Sequence, residues 1–452
     1  MNFMNAGGIV MIRIMSLLFT FFLFFMTAAM TVANNSPPSR TPSSPVKSPD
    51  SNLNLTPTPE SESLRPSDLV SDRNLEERSN EMLQDTQNSE TILRLSWAMV
   101  PNAVKYKVTF NDEEYITCIN GIEVKVNSVE QTFKITALDL YNNVIRDDIS
   151  VLETEVNPFM MRTTTEFDKM DYAPLYPVYS WVPKYNADYY LIQLLKDGEI
   201  VRSYQTREKD EDEIYDFYDY QPIDEAGEYY WRVKAMSKYG FALSEWSEQT
   251  EANSFTVTAP TKYAAFGDSI THGGGAISVP PSVAMYNWET YCSIPIKNLA
   301  KSGDTTEQLI NRFDNDVLSF APKILIIMAG VNDFRANTIG WETICNYKIL
   351  AEKCKDNGII PVFITPTPIN PDLIKKAKLI ERPPSDWQTH YDYACEWIRK
   401  QEYFIDITAD FEDEEGNLRA DLTTDGLHPD MEGKKIIGQA VQEWFYQNNP
   451  DV

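Results

Sequence analysis

From Lys262 onward the chain alternates short apolar runs with segments of helical period. The runs are Tyr263 to Phe266, Ile294 to Ala300, Ile324 to Ala329, Ile359 to Ile364 and Phe404 to Ile407. Near-continuous apolar strands separated by helices predict a parallel sheet covered on both faces, since each crossover helix lies on one face. Residues 260–452 are therefore expected to form an α/β three-layer sandwich, with functional side chains in the loops that follow strands.

Between residues 90 and 258 the period changes to two, as in Tyr106-Lys107-Val108-Thr109-Phe110 and Tyr230 to Ala235. Alternation of this kind predicts strands with one buried face. The stretch also repeats itself weakly. Ser96-Trp97 recurs as Ser180-Trp181, and Asn102-Ala103-Val104-Lys105-Tyr106 recurs as Asn186-Ala187-Asp188-Tyr189-Tyr190, at one common offset. Two all-β sandwich modules are expected, over 89–165 and 166–259, the second carrying an acidic, tyrosine-rich insertion from Glu208 to Tyr220. The arrangement resembles fibronectin type III modules, with Trp97 and Trp181 as early core tryptophans and Tyr229 as the corner tyrosine. The first copy has Gln131 at that corner. The modules read either as spacers with aromatic cores or, through Tyr215, Phe217, Tyr218 and Tyr220, as a stacking surface for polysaccharide.

Residues 1–33 place Arg13 before the apolar run Ile14 to Met30 and then small residues up to Ala33, the layout of a secretory signal peptide. An uncleaved membrane anchor is the alternative, given the length of the run. Residues 34–88 are rich in Ser, Pro, Thr, Asn and Glu and are expected to form a disordered tether. Together they predict a secreted or cell-surface protein.

Composition narrows the chemistry. Of 452 residues 42% are hydrophobic, enough for several cores, and the formal charge of -27 repels phosphate backbones, which argues against nucleic acid as a partner. The five cysteines are scattered without a C-x-x-C pair, so buried free thiols are expected, with one or two bridges open after export. Three histidines without ligand spacing predict no metal and no cofactor. The acidic run Asp410 to Gly416 misses the EF-hand spacing and reads as a solvated hairpin.

Four loops carry distinctive residues. They are Gly267-Asp268-Ser269-Ile270-Thr271, Lys301-Ser302-Gly303-Asp304, Gly330-Val331-Asn332-Asp333 and Asp425-Gly426-Leu427-His428-Pro429. In the last, a carboxylate three positions before an imidazole is suited to fixing the ring's tautomer. Asp304 and Glu307 are expected to cap the next helix, and Pro429 to open the terminal one. As the base, His272 stands on Ser269's own helix turn, wrongly placed for the hydroxyl. His390 lacks a carboxylate arrangement and is expected on a helix surface or lid.

These four blocks resemble those of the GDSL or SGNH hydrolases, whose fold is flavodoxin-like. The resemblance implies Ser269 as nucleophile, His428 as general base and Asp425 as its orienting partner. It also implies an oxyanion hole from the backbone N–H groups of Ser269 and Gly303 and the amide of Asn332. The expected activity is carboxylic ester hydrolysis of short acyl groups, acetyl first, on a carbohydrate or other small ester. Lysophospholipase or thioesterase activity, and a non-catalytic adhesion protein, are the alternatives. Tyr286, Trp288, Trp387, Tyr391 and Trp397, on two long connections expected to frame the cleft, are candidates for sugar stacking, while Trp397 with Tyr393 also falls at helical i,i+4 spacing and reads alternatively as core.

Overall fold

The computed structural model describes residues 90–448 except 128–130, 210–212, 277–278, 337 and 380–382. The expected signal segment and tether, residues 1–88, lie outside the described residues.

The first β region holds β1 (Thr91–Ser96), β2 (Lys105–Phe110), β3 (Glu113–Thr117), β4 (Gly121–Val126), β5 (Lys134–Leu138), β6 (Val144–Ile149) and β7 (Glu153–Val156). They form two antiparallel sheets, β4-β1-β7 and β3-β2-β5-β6. The second holds β8 (Val178–Ser180), β9 (Tyr189–Lys196), β10 (Glu199–Gln205), β11 (Asp216–Tyr218), β12 (Gly227–Met236) and β13 (Ser254–Val257). Its sheets are β10-β9-β12-β13 and β11-β8, so the two four-stranded sheets share one strand order. Residues 159–165 hydrogen-bond to this second region, Thr164 N–H to Ser180 O and Val182 N–H to Arg162 O among them.

The sequence repeat has a packing cause. Trp97 packs on Tyr106 at 5.3 Å, and Trp181 on Tyr190 at 5.0 Å. In both copies the tyrosine hydroxyl then accepts a backbone N–H six residues upstream, from Val100 at 2.9 Å and from Lys184 at 2.9 Å. Each ring therefore fills the core while its one polar atom is satisfied. Tyr229 donates its hydroxyl to Glu225 O at 2.9 Å, closing a corner of the second region.

The third region carries a five-stranded sheet ordered β15-β14-β16-β17-β18: β14 (Tyr263–Gly267), β15 (Lys297–Asn298), β16 (Ile324–Met328), β17 (Ile360–Ile364) and β18 (Phe404–Ile405). Every pairing is parallel. The helices are α1 (Ser269–His272), α2 (Thr306–Asp316), α3 (Val331–Arg335), α4 (Gly340–Asp356), α5 (Pro371–Lys376), α6 (Trp387–Ile398), α7 (Thr408–Phe411) and α8 (Met431–Asn448). Although the strands are mostly buried, their residues divide between two cores. Ala264, Phe266, Leu325 and Ile327 face α2 and α4, whereas Ala265, Ile324, Ile326 and Met328 face α8. The strand order reverses beside β14, which makes the carboxyl ends of β14, β15 and β16 the switch-point crevice where ligands bind in such sheets.

Two strands are shorter than the apolar runs predict. Pro295 removes a ladder donor ahead of β15, and β15 and β18 are edge strands with pairing on one side only. The two β regions also differ in their attachment. The first has its own core around Trp97 and Val108. That of the second, with Trp181 and Trp231, runs without a break into the α2/α4 side of the parallel sheet, so this region is fused to the sheet rather than spaced from it. Lys297 donates to Ala173 O at 2.7 Å and Leu175 N–H to Asn298 O at 2.9 Å across that junction.

The tyrosine-rich segment is drawn into the same junction. Tyr215 is fully buried, and Phe217 lies against Tyr204 with ring centroids 4.8 Å apart. Tyr218 packs edge-on to His272, and Tyr220 lies under Lys301. Tyr215 is therefore core, Phe217 and Tyr218 are half-buried, and Tyr220 is exposed with its ring stacked on Tyr218 at 6.0 Å. All five cysteines are free thiols, three of them buried. Among the described residues no helix is long and apolar enough to cross a membrane, and no cluster of His, Cys, Asp or Glu stands ready for a metal ion.

Candidate active site

Ser269 is delivered by the end of β14. Gly267 pairs with Met328, and a Cβ there would lie 2.2 Å from the Met328 carbonyl oxygen, so only glycine lets the chain turn at this point. Asp268 then caps α1, its Oδ1 accepting Ile270 N–H at 3.0 Å, and Ser269 becomes the first helical residue. Its Oγ stands 3.2 Å from His428 Nε2.

The loop Thr423 to Pro429 is built around Asp425. The carboxylate is fully buried; Oδ1 accepts the N–H groups of Leu427 at 2.9 Å and His428 at 2.8 Å, and Oδ2 lies 2.8 Å from His428 Nδ1. A carboxylate can only accept, so Nδ1 carries the proton and Nε2 presents its lone pair to Ser269. Burial alone would raise the Asp425 carboxyl, but the His428 ring and the two N–H donors hold it below the ordinary value.

Gly303 sits in a turn at φ +89°, the left-handed region, and its N–H has no hydrogen-bond partner among the described residues. Asn332, at the start of α3, donates one amide hydrogen to Asp304 O at 2.9 Å, while its Oδ1 accepts Arg335 Nη2 at 2.9 Å. The guanidinium can only donate, so it fixes which end of the amide is oxygen and turns the NH₂ group to the other side. A second amide hydrogen is left over. The structure thus brings Ser269, Asp425 and His428 into one hydrogen-bonded line, and ties Asn332 to the residue after Gly303.

The other histidines are engaged elsewhere. His272 ends α1, with Nε2 2.6 Å from Tyr176 O and Nδ1 2.7 Å from Ser302 Oγ. The carbonyl requires a proton on Nε2, so Nδ1 accepts from Ser302 and the ring is neutral; burial brings its pKa down to about 4. His390, on α6, accepts Gly340 N–H at 3.1 Å and so caps α4, with Asp386 3.5 Å away. It has a carboxylate neighbour after all, but at a helix end.

Several expectations are corrected. Thr305, not Asp304 with Glu307, caps α2, in a capping box with Gln308. Asp430 caps α8 through Glu432 and Gly433 N–H, and Pro429 lies before it. Tyr286, Trp288, Trp387 and Tyr391 are buried, and Trp397 packs against Tyr347 at 5.4 Å. They support the loops from below instead of lining a cleft.

Three cations were not singled out from the sequence. Arg312 joins the first two blocks, donating to Gly267 O at 3.1 Å, Leu299 O at 2.6 Å, Asp304 at 2.5 Å and Asp316 at 2.9 Å. Its i,i+4 spacing from Asp316, next to the apolar Leu309 and Phe313 face, was the available signal. Lys434, fully buried on α8, donates to Ile270 O at 2.5 Å, and burial brings it down to about 8. Arg335 is the third; its i,i+3 spacing from Asn332 puts both on one helix turn. Asp333 secures the third block by accepting Thr306 N–H at 2.9 Å.

Residues 265–436 match the model of the GDSL-like Lipase/Acylhydrolase family. Among solved structures, a GDSL-like lipase from Bacteroides thetaiotaomicron is 22% identical, covering 41% of this chain and 88% of its own, with a TM-score of 0.34. A lipase/acylhydrolase from Enterococcus faecalis is 20% identical over 42% and 97%, with a TM-score of 0.35. A catalytic mutant of an acetylxylan esterase from Geobacillus stearothermophilus is 20% identical over 42% and 95%, with a TM-score of 0.32. No curated protein matches the chain.

Proposed function

We infer, from a chain whose residues 265–436 are a domain of the GDSL-like lipase/acylhydrolase family, that the protein is a serine ester hydrolase. The observation that carries this reading is the line Ser269 Oγ, His428 Nε2, His428 Nδ1, Asp425 Oδ2, with contacts of 3.2 and 2.8 Å.

In the proposed reaction Ser269 Oγ attacks the ester carbonyl while its proton passes to His428 Nε2. The imidazolium so formed is stabilised by Asp425, and negative charge moves to the carbonyl oxygen. The N–H groups of Ser269 and Gly303 and the remaining amide hydrogen of Asn332 are the donors for that oxygen, each contributing on the order of 3 kcal/mol at the barrier. Collapse breaks the bond to the alkoxy group, which takes the proton from His428 and leaves as the alcohol. Water, deprotonated by the same imidazole, then releases the acid and restores Ser269.

The finer reading is an exported enzyme that removes acetyl groups from a carbohydrate. It is supported by the signal-like N-terminus, the tether-like segment after it and the appended β regions, all suited to a polymer outside the cell. It does not draw on Tyr286, Trp288, Trp387 or Tyr391, since those rings are buried. Initial rates of the full chain on acetylated xylan, short aryl esters, medium-chain esters and lysophospholipid, with Ser269→Ala as control, test it. Acetyl esters turned over fastest and lost in the variant is the expected result. Preference for long acyl chains would replace the acetyl reading, and no turnover of any ester would remove the enzyme.

A further inference from the structure

The first β region reaches the active-site loop. Its β5–β6 turn is closed on Asp139, whose Oδ1 accepts the N–H groups of Tyr141 and Asn143, both at 2.8 Å, and Asn142 adopts φ +69°. The turn projects Tyr141, whose hydroxyl donates to the carbonyl oxygen of Thr424 at 2.9 Å, across 283 residues of sequence. Thr424 directly precedes Asp425. Lys376, at the end of α5, stands over the Tyr141 ring with Nζ 3.8 Å from its centre.

The same loop is held from its other side by α5. Asn370, which caps α5, donates its N–H to Gly426 O at 2.8 Å, and a Cβ on Gly426 would lie 2.5 Å from Asn370 O. One wall of the Thr423 to His428 loop is thus α5 and the other is Tyr141, with Lys376 bridging the two. Burial, then the charges of Asp425 and Asp139, push the Tyr141 phenol up to about 12, which keeps it protonated and able to donate at neutral pH.

We propose that Tyr141 is a positioning residue for the Asp425–His428 pair, so that the first β region is a working part of the active site. It acts through the Thr424 carbonyl: the N–H groups of Leu427 and His428 are bound to Asp425, so a displaced Thr424 carries the carboxylate, and with it the ring, away from Ser269. Reaction rates fall steeply when a catalytic group is misplaced by about an ångström. A second contact, Asn102 N–H to the Tyr286 hydroxyl at 2.8 Å, fixes the orientation from which Tyr141 reaches the loop. The proposal rests on the reading of Asp425 and His428 as the acid–base pair.

The test uses the full chain with Tyr141→Phe, which removes only the hydroxyl, Tyr141→Ala, and Val144→Ala on exposed β6 as a control. Two readouts are taken: kcat and KM on a small acetyl ester, and the low-field proton NMR signal of His428 Nδ1–H, assigned by its loss in His428→Gln. Expected are a kcat about fivefold lower in Tyr141→Phe and lower still in Tyr141→Ala, with KM within about twofold, thermal unfolding of Tyr141→Phe close to wild type, and a shifted proton signal. Val144→Ala leaves both readouts unchanged. Wild-type kcat and an unmoved signal in both Tyr141 variants overturn the proposal, as does an equal loss in Val144→Ala. The proton signal needs no turnover. If wild-type enzyme hydrolyses no ester, the functional reading fails, while a shifted or unmoved signal still decides whether Tyr141 positions the pair.

Discussion

Replacing Asp425 by Asn keeps the side chain's shape and removes its capacity to accept hydrogen bonds at both ends. In the wild type Oδ1 is occupied by two backbone donors, Leu427 N–H at 2.9 Å and His428 N–H at 2.8 Å. The amide oxygen of an Asn must take that position, because an NH₂ group there would face two donors at once. The NH₂ then meets His428 Nδ1 at the former 2.8 Å contact. Nδ1 can satisfy it only by giving up its own proton, which moves to Nε2, the atom that must accept the proton of Ser269. The perturbation is therefore a switched tautomer inside an intact loop. A loss of about 10³ to 10⁴ in kcat is expected for such a change, or about 4 to 5 kcal/mol of barrier. KM stays near wild type because no substrate-binding group is touched. The assay is the initial rate on a small aryl acetate near neutral pH, with thermal unfolding to check that the loop, whose two N–H donors keep an oxygen to bind, still folds. An Asp425→Asn enzyme with kcat within about tenfold of wild type would refute the tautomer argument and the assignment of Asp425 with it.

Three further outcomes follow from the same geometry. Asn332→Ala is expected to lower kcat on the order of a hundredfold with little effect on KM, read by steady-state kinetics, since it deletes a donor used only when charge develops. His272 has a folded pKa near 4, below its ordinary value of 6.5, so the unfolded chain takes up the proton first and stability falls as pH drops through that window. His272→Gln should remove up to about 1.4 kcal/mol per pH unit of that fall between pH 6.5 and 4, measured by denaturant unfolding at several pH values against wild type. Tyr229→Phe should cost about 1 kcal/mol through loss of the Glu225 corner bond while leaving kcat unchanged, measured by denaturant unfolding and steady-state rates.

The parallel sheet was legible because its signal is local. Tyr263 to Phe266 and Ile324 to Ala329 are apolar runs closed by glycine, and strands β14 and β16 lie within a residue of those bounds. The positions of Ser269, Gly303 and Asn332 after strands followed from the same alternation, whereas His428 lies well past β18 and α7, in the loop that leads into α8. What supports those residues was not legible. Arg312 and Lys434 were not singled out from the sequence, and only the folded chain places them under Gly267 and Ile270. Trp288 and Trp387 were read as cleft aromatics on long connections, yet both are core residues, because the connections fold back and bury their large apolar area. The cap of α2 was misassigned by one residue, to Asp304 instead of Thr305, where adjacent polar residues compete for the same N–H groups, and α8 starts past Pro429, behind Asp430. The fusion of the second β region to the sheet, and the reach of Tyr141 to Thr424, depend on contacts far apart in sequence that no local pattern records.

The central claim is that His428 activates the hydroxyl of Ser269. A fluorophosphonate probe reports this directly, because it is attacked only by an activated serine and stays attached. Peptide mapping of the labelled full chain should find the adduct on Ser269, with the labelling rate lowered at least about a hundredfold in His428→Gln. An adduct on another serine, no adduct at all, or an unchanged rate in His428→Gln would contradict the account.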